Sequence, residues 1–377
     1  MPVRFNIPPQ VGRELEYIKE AVDSGRLAGN GVFTKRCHAV LQTLTGAGKV
    51  LLTSSCTDAL EMAAILAEVG PGDEIIMPSY TFVSTANAFV LRGATPVFVD
   101  IEAETLNIDP EQVASAITSK TKAIVPVHYA GVGCDMVSLK QIARNSGLLV
   151  IEDAAQGLMS TTNDASLGSL GDMAALSFHE TKNIVSGEGG ALLINNSKLF
   201  DRAEIIWEKG TNRSKFIRGE VDKYTWVDVG SSYLPSELQA AFLLAQLESA
   251  KEITGQRLAV WQRYHQNLVP LEQAGRLRLP VIPPKYKHNA HMFYILLNSA
   301  QEQANVLEGM KKAKINAVFH YQPLHSAPAG LRYGRAHGAL NVTNDLSARL
   351  VRLPVFAGLT TKQVNHICSV LEKVLDG

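Results

Sequence analysis

The chain has 377 residues, 46% apolar and 19% charged, with 36 basic side chains against 36 acidic ones. That length exceeds what one hydrophobic core usually serves, so about two domains are expected. The balanced charge supplies no global field to draw in nucleic acid or an anionic membrane, and no apolar run reaches the length of a bilayer span.

The N-terminal stretch MPVRFNIPPQ lacks a basic segment followed by an apolar one, so no secretory signal is expected there. Cys37, Cys56, Cys134 and Cys368 show no metal-ligand spacing and fit a reducing, cytoplasmic compartment. Seven short apolar runs then recur: KVLL before Thr53, EIIM at Glu74, PVFVD at Pro96, AIVPV at Ala123, LLVIED at Leu148, AALSF at Ala174 and ALLI at Ala191. Runs apolar on both faces predict a mostly parallel sheet covered by helices on each side. Segments such as DALEMAAILAEV and STANAFVLRG supply those helices, giving a doubly wound α/β layer over 1–250. From Ser236, SELQAAFLLAQLESAKEITGQRLAVWQRYHQNL carries one long helical period that would link two domains. Beyond it, HMFYILL reads as a strand and Gln301–Lys314 as a helix, so 251–377 is expected to be a smaller α+β domain.

In open α/β sheets ligands sit at the carboxyl ends of the strands, so the residues there carry the functional reading. TSSCTDAL after the first strand opens a helix whose N–H groups can hold an anion, although taken alone plain capping is the simpler explanation. GxGxxG is absent, and GAGKV at Gly46 fails the phosphate-loop pattern. PSYTFVSTANAF puts Tyr80 and Phe82 at the sheet's edge, as core packing or as cover for a flat ligand. IEDAAQG ends a buried run on Glu152 and Asp153, where carboxylates need a partner, either in a structural ion pair or in a ligand. SFHETKN then places Lys182 just past the sixth run. An anion site, an aromatic, a buried acid and a lysine at one edge describe a flat ring with a phosphate tail and a carbonyl: pyridoxal 5′-phosphate (PLP). Lys182 would join the aldehyde as a Schiff base, Asp153 would hold the pyridine nitrogen protonated, and Gln156 would meet the ring hydroxyl.

TSSCTDAL, MPSYTFVSTANAFVLRGATPVFVD, PVHYAG, IEDAAQG, SFHETKN with GEGG, and VFHYQPLH resemble, in order, the motifs of the sugar-nucleotide aminotransferase family. That resemblance covers essentially the whole chain. It implies a fold type I PLP-dependent transferase with a mostly parallel seven-stranded sheet and a smaller C-terminal domain. It also implies Lys182 as the cofactor-bearing lysine, Asp153 at the pyridine nitrogen, Gln156 at the ring hydroxyl and Phe82 stacked on the ring. Thr57, the Asp58 N–H and Ser177 fall on phosphate contacts; the Asp58 carboxylate is expected to point away. His320 and Tyr321 fall near the substrate. The family implies a homodimer, and Ser232 stands where many relatives offer an asparagine across the dimer to the phosphate. The basic cluster of Arg213, Lys215, Arg218 and Lys223 reads either as a solvated loop or as a grip on a nucleotide diphosphate. EKGTNRS, VDKYTW and VGSSYLPSELQAA resemble a subgroup that moves the amino group of L-glutamate to C4 of a dTDP-4-keto-6-deoxy sugar. Rival readings are amination at C3 or of a UDP sugar, a sugar dehydratase (which carries histidine for the lysine), and a non-catalytic PLP-binding relative.

Overall fold

The computed structural model describes residues 2–376. The seven apolar runs form strands β1 (Lys49–Thr53), β2 (Glu74–Pro78), β3 (Thr95–Val99), β4 (Thr121–Ile124), β5 (Leu149–Asp153), β6 (Met173–Ser177) and β7 (Gly190–Ile194). Among the later strands are β8 (Phe293–Leu296), β9 (Arg335–Ala336) and β10 (Leu350–Leu353). The main sheet has the order β1-β7-β6-β5-β4-β2-β3-β9, and only β7 runs against its neighbours. Seven strands were expected; the eighth, β9, is two residues long and has no apolar run to announce it. A bidentate pair from Arg335 to Glu74, at 2.9 and 3.0 Å, fastens it to the edge.

Helices α1 (Cys56–Leu66) and α2 (Val83–Val90) follow β1 and β2 directly, so their N-termini stand at the carboxyl edge of the sheet. The helical stretch from Ser236 is broken once. Ser236 caps α3 (Glu237–Glu248), and the chain leaves helical geometry at Ser249 (φ −101°, ψ 9°) before α4 (Ala250–Gln273). A second apolar core gathers Trp261, Tyr264, Phe293, Ile295, Val351 and Leu371, with Val3 from the other end of the chain. Its antiparallel pair β8–β10 presents Arg352 between the buried Val351 and Leu353.

The two acids ending β5 divide by strand alternation, which sends neighbouring side chains to opposite faces. Glu152 is fully buried on the structural side. It accepts the N–H groups of Gly168, Leu170 and Gly171 at 2.6–2.9 Å and a 2.7 Å bond from His128 Nε2. Burial opposes its charge, but those donors outweigh it and hold its pKa below the usual carboxylate value. Asp153 faces the other way, into the site.

Candidate active site

At the carboxyl edge lies a cavity of about 770 Å³. Its position follows from the topology, since β1, β2, β5 and β6 all end on this side. Thr57, Phe82, Asp153, Gln156, Ser177, Lys182, His320 and Tyr321 all line it, so sequence signals more than 260 residues apart meet in one space.

Lys182 sits in the loop joining β6 to β7. Bonds from Phe178 N to Gly189 O (2.8 Å), Glu180 N to Gly187 O (2.8 Å) and Lys182 N to His179 O (2.9 Å) close that loop and fix the backbone that carries the amine. Among the described residues it has no carboxylate pair. Dehydration is the largest influence on it and lowers its pKa; the nearby charge of Arg352 adds to this, while Cys56 and Asp153 oppose. Asp153 is held by Thr85, whose hydroxyl donates to Oδ2 at 2.7 Å, and by the Ala155 N–H on Oδ1 at 3.1 Å. Gln156 is fixed at both ends of its amide: Oε1 accepts the Ala130 N–H at 2.7 Å, and Nε2 donates to the Tyr321 hydroxyl at 3.0 Å. One N–H of that amide remains for a ligand.

The anion corner is the start of α1. Its first N–H groups have no intrahelical partner and point to where negative charge is favoured. The Thr57 hydroxyl bonds Ser84 Oγ at 2.8 Å beside them, and Ser177 closes the corner from β6. This corner exists only because Gly190 lacks a side chain. A Cβ there would stand 2.5 Å from the Cys56 nitrogen and closer still to the Ser55 carbonyl. The set of donors, acid, amide and dehydrated amine matches the phosphate, pyridine nitrogen, hydroxyl and aldehyde of PLP.

Opposite, His320 Nδ1 lies 2.7 Å from the Tyr129 hydroxyl, and its ring stacks on Tyr321 at 3.6 Å. Burial, aided by Arg352, His291 and Lys182, drives the His320 pKa well down, so the ring is neutral. Phe82, 56% exposed, lies 6.2 Å from the Tyr321 ring.

Six residues read from the sequence as candidates do not line this cavity. Asp58 N–H is taken by its own helix cap, donating to Ser55 Oγ at 3.0 Å, so Ser55 stands in the lining instead. Arg218 is spent on Glu220 (2.6 Å) and Glu204 (2.8 Å), while Arg213 and Lys215 pair with Glu208 and Asp201. The basic cluster is therefore largely neutralised within its own loop. Lys223 and Ser232 are exposed on the same chain segment and line no part of the cavity. Conversely, Arg257, His291 and Arg352 line the cavity and were missed. Arg352 left one signal, a charge inside the apolar stretch LVRLPVF; Arg257 left none, because one arginine on a long helix reads as solvated.

Residues 9–372 match the DegT/DnrJ/EryC1/StrS aminotransferase family. The chain belongs to that family: it is a PLP-dependent aminotransferase of fold type I. It is 30% identical to the spore coat polysaccharide biosynthesis protein SpsC of Bacillus subtilis, over 98% of this chain and 96% of that protein. To GDP-perosamine synthase of Caulobacter vibrioides it is 31% identical, over 97% and 96%. Among solved structures, the aminotransferase TlmJ of Streptoalloteichus hindustanus superposes with a TM-score of 0.91 at 28% identity, covering 100% of this chain and 99% of that one. The PLP form of the sugar aminotransferase Spr1654 from Streptococcus pneumoniae gives 0.89 at 26% identity, covering 100% and 99%.

The Gly190 contact yields a test. Gly190→Ala should weaken PLP binding by roughly 10-fold or more, a free-energy change of about 1.4 kcal/mol, in a fluorescence titration of apoenzyme with native far-UV signal. Unchanged affinity would show that the start of α1 does not seat the phosphate.

Proposed function

We propose that this aminotransferase moves the amino group of L-glutamate to C4 of dTDP-4-dehydro-6-deoxy-D-glucose. The products would be 2-oxoglutarate and dTDP-4-amino-4,6-dideoxy-D-galactose, a building block for enterobacterial common antigen. The observation that carries the reading is a dehydrated, carboxylate-free Lys182 in the same cavity as Asp153 and the open N-terminus of α1. The curated relatives named for polysaccharide and GDP-perosamine synthesis support a nucleotide-sugar acceptor; the stretches EKGTNRS and VGSSYLPSELQAA support the dTDP-4-keto class.

Each side chain then has one task. The lowered pKa of Lys182 raises the share of uncharged amine near neutrality, so the residue can accept a proton from a substrate carbon and return it. Asp153, steadied by Thr85 and Ala155, holds the pyridine N–H. Gln156 donates its remaining N–H to the ring hydroxyl, and Phe82 covers one ring face. Thr57, Ser177 and the first amides of α1 take the phosphate. PLP bound there supplies an electron sink for the carbanion formed at the substrate carbon. Neutral His320, with Tyr321, orients the acceptor from the opposite wall.

The reading includes a homodimer. Phe216, Tyr224, Trp226, Val227 and Val229 are exposed along one segment, Trp226 by 77%, and a patch of this kind marks an interface. Lys223 and Ser232 lie on that segment, so a second copy would bring them to its neighbour's cavity, Ser232 toward phosphate and Lys223 toward the nucleotide. Sedimentation equilibrium should give twice the 40.9 kDa chain mass; a monomer would remove both residues from the site.

L-Glutamate alone should bleach the cofactor's absorption band and release 2-oxoglutarate. The resulting enzyme should then aminate a dTDP-4-keto-6-deoxy sugar faster than its UDP counterpart, with an axial 4-amino group by NMR. A C3-amino product, or preference for UDP, would contradict the substrate assignment while leaving aminotransfer intact.

A further inference from the structure

The stretch PVHYAG, between β4 and β5, gives the cavity wall only Val127, yet it decides what two residues of that wall present. Its turn is strained and pinned. Ala130 and Gly131 both stand in the left-handed region (φ 57° and 79°), a conformation that costs energy in a residue with a side chain. Asn107 holds the turn from one side: its Oδ1 accepts the Tyr129 N–H at 2.9 Å, and its Nδ2 donates to the Val132 and Gly133 carbonyls at 3.2 and 2.8 Å. Asn289 closes it from the other side. Its amide oxygen fills the place of a Gly131 Cβ, and its Nδ2 donates to the Gln156 and Leu158 carbonyls, both at 2.8 Å.

Two side chains of the wall are ambiguous by chemistry. An amide can present oxygen or N–H, and a neutral imidazole can donate from either nitrogen. The turn resolves both. The Ala130 N–H donates to Gln156 Oε1 at 2.7 Å, which turns the amide nitrogen toward Tyr321 and the cavity. The Tyr129 hydroxyl lies 2.7 Å from His320 Nδ1. Tyr129 is buried, and burial pushes its pKa well above the usual tyrosine value, so the phenol keeps its proton and must place it. His320 Nδ1 is the acceptor within reach. In the reverse sense, with the imidazole donating, the phenol's proton would turn to Tyr80. That ring is 5.2 Å away, and its buried hydroxyl is bonded to none of the described residues. Such a chain would end in a buried O–H with no acceptor, which is costly. A neutral imidazole with its lone pair at Nδ1 carries its proton on Nε2. His320 lines the cavity and Tyr129 does not, so the Nε2 edge is the one turned to a ligand. The 3.6 Å stack on Tyr321 fixes the plane of the ring.

We propose that Tyr129 is the positioning residue that fixes His320 as an Nε2–H donor, and that this N–H binds an uncharged oxygen, hydroxyl or carbonyl, of the acceptor sugar. The proposal rests on the place given to the acceptor beside His320 in the reading above. It adds the direction of the contact and the group that sets it. A single neutral donor suits a sugar oxygen, whereas an anion draws charge-assisted pairs. A bare Nε2 would accept instead, selecting a hydroxyl and repelling a carbonyl. One turn thus sets both ambiguous groups with N–H toward the cavity, Gln156 for the cofactor and His320 for the sugar.

The test uses PLP-loaded enzyme containing histidine isotopically labelled at Nε2. Magic-angle-spinning NMR reads the tautomer directly, since protonated and bare imidazole nitrogens resonate far apart; the signal missing from His320→Gln protein assigns it. Wild-type His320 should give the protonated signal, and Tyr129→Phe a mixture of the two. The same variant should raise the KM for the nucleotide keto sugar by roughly 3- to 10-fold with kcat little changed, the scale of one neutral hydrogen bond. Bleaching by L-glutamate should keep its half-maximal concentration within about 2-fold, because the amino donor does not use this N–H. A bare Nε2 in the wild-type enzyme would overturn the proposal. So would an unchanged sugar KM in Tyr129→Phe, or equal losses with sugar and glutamate, which mark a merely structural hydroxyl. Should Tyr129→Phe fail to fold, the wild-type spectrum still decides. If wild type aminates no nucleotide sugar, the acceptor reading falls and the sugar contact with it, while the spectrum still decides the hold of Tyr129 on His320.

Discussion

Uncompensated positive charge in a dehydrated cavity is the constraint around which the molecule is arranged. Among the described residues Lys182, Arg257 and Arg352 stand there without ion-pair partners, while seventeen lysine– or arginine–carboxylate pairs hold charges elsewhere, most at the surface. Keeping two guanidiniums unpaired costs folding energy, offset by the backbone carbonyls bonded to each, while dehydration shifts Lys182 toward its uncharged form. Carbonyls aim the guanidiniums, and backbone bonds close the β6–β7 loop that carries Lys182. The result is a site whose best occupants are anions and carbonyl compounds.

The rest of the fold keeps that arrangement in register. Parallel strands place four chain ends on one edge, and the reversed β7 returns the chain so that Gly190 meets the start of α1 without a side chain between them. Glu152 and Asp153 show how one strand serves two ends. The first ties the 168–171 turn and His128 into the core; the second, one residue on, faces the cavity. Swapping their faces would need a one-residue slip of β5, which its neighbours on both sides forbid.

Much of this was legible in the chain. The seven main strands announced themselves as runs too apolar to face water; Asp153 ended one of them and Gln156 and Lys182 stood just past the ends, while Ser177 was singled out only by the family resemblance. Reading a site from strand ends works because parallel topology gathers those ends together. What remained hidden depends on contacts between distant segments. Arg257 and Arg352 come from α4 and β10, and only tertiary packing reveals that they share a cavity with Lys182. The two-residue β9 is specified by the Arg335–Glu74 pair and not by any pattern. The Ser249 break has no glycine or proline to mark it. The basic cluster around Arg218 left two readings open because its partners Glu204 and Asp201 lie on a neighbouring helix, out of sight of the positive run.

The central claim is that one dehydrated amine carries the cofactor. Reducing the PLP-loaded enzyme with borohydride and mapping its peptides tests this directly. A phosphopyridoxyl group found on Lys182 alone, and absent from Lys182→Ala protein, is the predicted result; a label on a different side chain, or none, would contradict it.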